Sequence, residues 1–110
     1  MNLDIHLEKD QDTVLLNVEG EIDAYTAQEL REKLLPLTEI KGRQVVVHLA
    51  DVHYIDSTGL GIFIGALKSA HQHGSFLKLT GVTPRVRRLF DITGLDEVIE
   101  IDDHEREEAR

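Results

Sequence analysis

Cysteine is absent from this chain of 110 residues, so neither a disulfide nor a thiolate metal site can contribute to it. Aromatic side chains are scarce. Two tyrosines and three phenylalanines leave a core that must be mostly aliphatic. Bases are outnumbered, 12 against 21 acids, and the formal charge of −9 argues against direct nucleic-acid binding and for a partner with excess positive charge. Long apolar runs are missing too. The longest, Leu60 to Leu67, falls far short of the ~20 residues of a membrane span. Met1 to His6 has neither a basic segment nor a sustained apolar core, so it does not read as a signal peptide. The expectation is one cytoplasmic domain over residues 1–110, ending in a charged tail at 102–110.

What is present alternates between strand and helix signals. Leu3, Ile5 and Leu7 interleave with Asp4, His6 and Glu8, the period of a half-buried strand. A turn at Lys9–Asp12 leads to a second such strand through Val14, Leu16 and Val18, closed by Gly20, and the short connection predicts an antiparallel pair. Thr26 and Glu29 have the spacing of a capping box, followed by Ala27, Leu30, Leu34 and Leu37 on one helical face. Pro36 should bend or fray that helix. Val45–Leu49 reads as a central strand covered, unequally, on both faces. Asp51–Asp56 then reads as a loop, and a helix runs from about Thr58 to His73, stopped by Gly74. Phe76–Thr80 is a further strand. Thr83-Pro84 opens a helix that buries Val86, Leu89 and Phe90 and ends at Gly94. Val98, Ile99 and Ile101 make a last, edge strand. This order predicts an α/β domain with a mixed sheet of four to five strands and about four packed helices.

The stretch Tyr54-Ile55-Asp56-Ser57-Thr58-Gly59-Leu60-Gly61 is harder to explain by stability. Each glycine inside a helix costs about 1 kcal/mol relative to alanine, and Gly59, Gly61 and Gly65 all fall in this one. Ser57 is placed to cap the helix, which accounts for the serine alone. Gly59 and Gly61 leave a smooth patch beside an exposed hydroxyl, suited to a close-fitting partner or a modifying enzyme. The pair Gly61-x-x-x-Gly65 reads as close packing of the helix on the sheet. A phosphate at a helix N-terminus meets free N–H groups and the positive end of the dipole. It adds a charge of about −1.5 to −2. Two unit charges ~6 Å apart at an effective dielectric of ~20 repel by about 2.8 kcal/mol, or about two decades in Kd. Phosphorylation could therefore abolish docking without unfolding the domain.

Other chemistries fit these residues less well. A nucleophile elbow needs glycine two before the serine, where Ile55 stands, and nothing marks His53 as a base. Gly65-Ala66-Leu67-Lys68-Ser69 resembles the end of a P-loop but lies inside a helix. His71 and His73, two apart, diverge on a helix and suit its C-terminal dipole rather than a shared metal. His48 reads as a packed or hydrogen-bonded residue of the central strand, and Asp23 alone as a turn residue. Arg85, Arg87 and Arg88 form the one basic cluster, expected to pair with carboxylates of the same surface.

Three segments together resemble the STAS domain of bacterial anti-sigma factor antagonists. They are Gly20-Glu21-Ile22-Asp23-Ala24-Tyr25-Thr26, Tyr54 to Gly61, and Arg88-Leu89-Phe90-Asp91-Ile92-Thr93-Gly94-Leu95. The resemblance spans nearly the whole chain. It implies a protein that binds an anti-sigma factor, itself a serine kinase, and so releases a sigma factor. It further implies phosphorylation at Ser57, with Thr58 the less favoured acceptor, and reversal by a metal-dependent protein phosphatase. Asp23 and Asp56 correspond to acids flanking the phosphorylation site, and Asp23, Asp56, Ser57, Thr58, Gly59 and Gly61 are the expected partner-binding residues. No cofactor, metal, membrane or direct nucleic-acid contact is expected, and the chain should be a monomer or weak dimer. A scaffold subunit of a larger stress-sensing complex is the alternative, and a hydrolase using Ser57 as nucleophile a remote one.

Overall fold

The computed structural model describes residues 2–102. Strand β1 (Leu3–Asp10) turns through Gln11 and Asp12 into β2 (Thr13–Ile22), with Leu3 opposite Gly20 and Asp10 opposite Thr13 in an antiparallel pair. The second strand is longer than its apolar alternation implies. It runs through Gly20 at a φ of +118°, because a Cβ there would strike the carbonyl of Asn2 while the strand continues to Ile22.

Helix α1 (Ala27–Leu34) gives way at Pro36 to a 3-10 turn (Leu35–Glu39), as the proline requires. The capping box does not form. The Thr26 hydroxyl donates to the Glu21 carbonyl at 2.7 Å and accepts the Asp23 N–H at 2.9 Å, and so is committed upstream. Strand β3 (Gln44–Ile55) absorbs most of the segment read as a loop. Helix α2 (Ser57–His73), β4 (Phe76–Thr80), α3 (Pro84–Thr93), a second 3-10 turn (Leu95–Glu97) and β5 (Glu100–Asp102) complete the order. Among the described residues there are thus three α-helices and two 3-10 turns, where about four helices were expected. Asp102 ends β5, and the remainder of the charged tail lies outside the described residues. Val98 is exposed and precedes the last strand rather than joining it.

The sheet order is β1-β2-β3-β4-β5, with every pair after the first parallel. Val45, Val47 and Leu49 of β3 are buried in one cluster with Leu16 and Val18 of β2 and Leu77 and Leu79 of β4. All three helices feed this cluster, through Leu30 and Leu34, through Leu60, Phe63, Ala66 and Ala70, and through Val86 and Phe90. Phe63 and Phe90 meet edge to face, with centroids 6.0 Å apart. The opposite face of β3 carries Val46 and His48, which are only half-buried. Their neighbours in the sheet, Leu15 and Lys78 for Val46 and Asn17 and Thr80 for His48, supply that cover. The expected unequal cover on both faces thus takes a particular form among the described residues, with helices over one face and only neighbouring strands' side chains over the other. His48 Nδ1 lies 2.9 Å from Thr80 Oγ1, in keeping with its reading as a hydrogen-bonded strand residue.

Candidate functional site

Ile22 and Ile55 are the last paired residues of the parallel strands β2 and β3, and both are buried. The Asp56 N–H donates to the Ile22 carbonyl at 3.2 Å. Asp23 and Asp56, distant in sequence, thus each follow a strand end at the same carboxyl edge of the sheet. Parallel sheets commonly place binding sites at that edge.

The two acids do different work. Asp56 holds extended backbone (φ −112°, ψ −171°), and its Oδ1 accepts the Gly59 N–H at 3.1 Å. Asp56, not Ser57, is therefore the N-cap of α2. Ser57 becomes the first helical residue with its side chain exposed. Thr58 is exposed as well, so accessibility does not separate the two hydroxyls. Asp23 is 8% exposed, and its Oδ1 accepts the N–H groups of Tyr25 at 2.9 Å and Thr26 at 3.1 Å. Reading it as a turn residue agrees with this geometry.

The glycines also divide. A Cβ on Gly59 would lie 2.7 Å from both Ile22 Cγ2 and Ile55 Cγ1, so this residue lets the first turn of α2 press onto the ends of β2 and β3. Nothing lies within 4 Å of a Cβ at Gly61 or Gly65. The packing assigned to the Gly61–Gly65 pair belongs instead to Gly59. Gly61 is exposed, four residues from Ser57 and so on the same helical face.

An open cleft of about 550 Å³ adjoins this helix end, lined by Glu21, Asp23, Tyr25, Tyr54, Asp56 and Arg85, with His53 beside Tyr54. Sequence reasoning left Tyr25, Tyr54 and Arg85 without a role at the site. The available signal was that a chain with five aromatics places its two tyrosines in two of the three motif segments. Arg87 pairs with Asp91 at 3.1 Å, as expected of the basic cluster. Arg85 instead faces the cleft and forms no ion pair among the described residues. His53 lines the same cleft and shares no hydrogen bond with Ser57 among the described residues. No cluster of three potential metal ligands occurs among those residues either, and no helix of theirs is long and apolar enough to cross a membrane.

A model of the STAS domain matches residues 4–108. The chain belongs to the STAS domain family. This STAS domain is 46% identical over 101 residues to the anti-sigma-B factor antagonist of Bacillus subtilis (strain 168), covering 92% of each chain. It is 46% identical over 108 residues to the anti-sigma-B factor antagonist of Listeria monocytogenes, covering 97% of this chain and 95% of that one. Among the solved structures that share this fold are two of SpoIIAA. Unphosphorylated SpoIIAA matches with a TM-score of 0.71 at 20% identity, over 96% of this chain and 94% of that one. The Bacillus cell fate determinant SpoIIAA in its phosphorylated form matches with a TM-score of 0.69 at 19% identity, over 97% and 100%.

Proposed function

We propose that this STAS domain is an anti-sigma factor antagonist switched by phosphorylation of Ser57. Unphosphorylated, it binds an anti-sigma factor that is also a serine kinase, and the sigma factor is released. Phosphorylation ends that binding, and a protein phosphatase restores it. The domain acts in the cytoplasm as a monomer or weak dimer, as the substrate of these two enzymes rather than as an enzyme.

The observation that carries this reading is an exposed Ser57 on the first turn of a helix already capped by Asp56. Because the cap is a neighbour, modification of Ser57 leaves the capping hydrogen bond in place. The N–H groups of the first turn and the helix dipole stabilise added negative charge. The bare surface at Gly61 gives a partner close access to the hydroxyl. Asp56, Thr58 and Gly61 then belong to the docking surface, while Gly59 and Asp23 shape it from beneath. Phosphorylated SpoIIAA matches this chain about as well as the unphosphorylated form does, which supports a switch that leaves the fold intact. The choice of Ser57 over Thr58 rests on the family resemblance of the motif.

Incubation with anti-sigma kinases and ATP, followed by mapping of the modified residue by mass spectrometry, tests the assignment. Modification at Ser57 is expected, and modification only at Thr58 or nowhere overturns it. Ser57→Asp should keep its circular dichroism and melting curve yet bind the kinase about tenfold or more weakly. Ser57→Ala should still bind.

A further inference from the structure

Tyr25 is 86% exposed, the most exposed large apolar side chain among the described residues, yet its backbone is held more firmly than display in water requires. Its N–H donates to Asp23 Oδ1 at 2.9 Å, and the next N–H, of Thr26, donates to the same oxygen at 3.1 Å. The Thr26 hydroxyl ties the turn back to the Glu21 carbonyl at 2.7 Å, and the Ala27 N–H closes it on the Asp23 carbonyl at 2.8 Å. Asp23 and Thr26 are both buried, so two desolvated polar residues fix a loop whose outermost side chain is left almost wholly to solvent. Tyr54, at 48% exposure, lines the same cleft, with the acids Glu21 and Asp56 and the cation Arg85 around the opening.

We propose that Tyr25 is the anchor by which this domain grips its anti-sigma kinase, and that Asp23 is a positioning residue that acts on binding through Tyr25. This rests on the function proposed above and deepens it, because grip and switch become separate devices. Ser57 decides whether docking is allowed, and the tyrosine cleft supplies the affinity. Burying a tyrosine removes about 150–250 Å² from water, and its two side-chain torsions make the ordering cost small. A backbone already fixed before docking lowers that cost further. Tyrosine and arginine are the residue types in which binding energy concentrates. The partner that fits is the kinase face with an apolar recess for Tyr25 and a basic rim. It meets the acids of the cleft on a chain of net charge −9.

The test is calorimetric titration of the kinase that modifies the chain in the mapping experiment above. Tyr25→Ala should melt like the parent and bind about tenfold or more weakly, while Tyr25→Phe stays within about threefold. Asp23→Ala should weaken binding in the parent but add less than about twofold in the Tyr25→Ala background. Asp23→Asn keeps an acceptor oxygen and should retain most of the affinity. Tyr25→Ala binding within about twofold of the parent overturns the anchor, and an undiminished Asp23→Ala effect in the Tyr25→Ala background overturns the positioning role. Weakening by Tyr25→Ala with none by Ser57→Asp supports the anchor and removes the switch. The reverse pattern removes only the anchor, and absence of any binding removes both.

Discussion

The Gly59 N–H meets Asp56 Oδ1 at 3.1 Å, which joins the end of a buried strand to the first turn of α2 through one carboxylate. Asp56 stands just outside the helix, with extended backbone (φ −112°, ψ −171°) and its own N–H donated to the Ile22 carbonyl of the neighbouring strand. Ser57 is thereby released from structural duty.

Asp56→Ala should therefore cost about 1 kcal/mol of folding free energy, the ordinary loss of an N-cap. Ser57→Ala should change stability by no more than about 0.5 kcal/mol, as expected for an exposed side chain. Urea unfolding of the two variants at constant m-value measures the contrast. A larger loss for Ser57→Ala would return the cap to the serine.

Gly59 and Gly61 should respond to alanine with opposite signs. At Gly59 the new methyl would press on Ile22 and Ile55, and overpacking of this kind costs about 1–3 kcal/mol. At Gly61 the space is open and the backbone helical, so alanine should stabilise by about 0.5–1 kcal/mol. Kinase binding by Gly61→Ala should nevertheless weaken if the bare patch admits the partner, which makes that glycine a stability cost retained for docking. Thermal melts and titrations of the two variants decide both points.

On the face of β3 opposite the three helices, Gly81 supports His48. Its φ is +67°, and a Cβ would lie 2.5 Å from His48 Cε1 and 2.9 Å from Nδ1. Gly81→Ala should cost about 1–3 kcal/mol through strain and displacement of the ring. The hydrogen bond between His48 and Thr80 should be lost with it. A changed imidazole resonance for His48 in the NMR spectrum would register this independently of stability.

Strand and helix types were legible because each rests on local chemistry. The strands through Leu3–Leu7 and Val14–Val18, the Pro36 break and the Thr83-Pro84 start appear as read, although Leu7 is exposed and leaves the buried alternation of the first strand incomplete. Thr83 accepts the Val86 N–H at 3.3 Å, so one cap was assigned correctly. The cap of α2 was not. Asp56 and Ser57 are adjacent and both suit the role, and the choice is made by a hydrogen bond to a strand more than thirty residues away. Thr26 failed as a cap for a related reason, since the Glu21 carbonyl and the Asp23 N–H claim its hydroxyl first. The form of cover on the outward face of β3 was not legible, because its β-branched run is the same whether helices or neighbouring strands supply the cover.

By itself, the sequence determined the alternation of elements, the single aliphatic core, the STAS motifs and the prominence of Ser57. These depend on periodicity, on turn chemistry and on residue types a few places apart. Tertiary structure alone decided which glycine is squeezed and which is bare, that Asp56 rather than Ser57 caps α2, and that two tyrosines share one cleft. Each of those outcomes turns on the distance between chain segments that only the pairing of β2 with β3 brings together. Spacing along the chain carries no information about such distances until the sheet has formed.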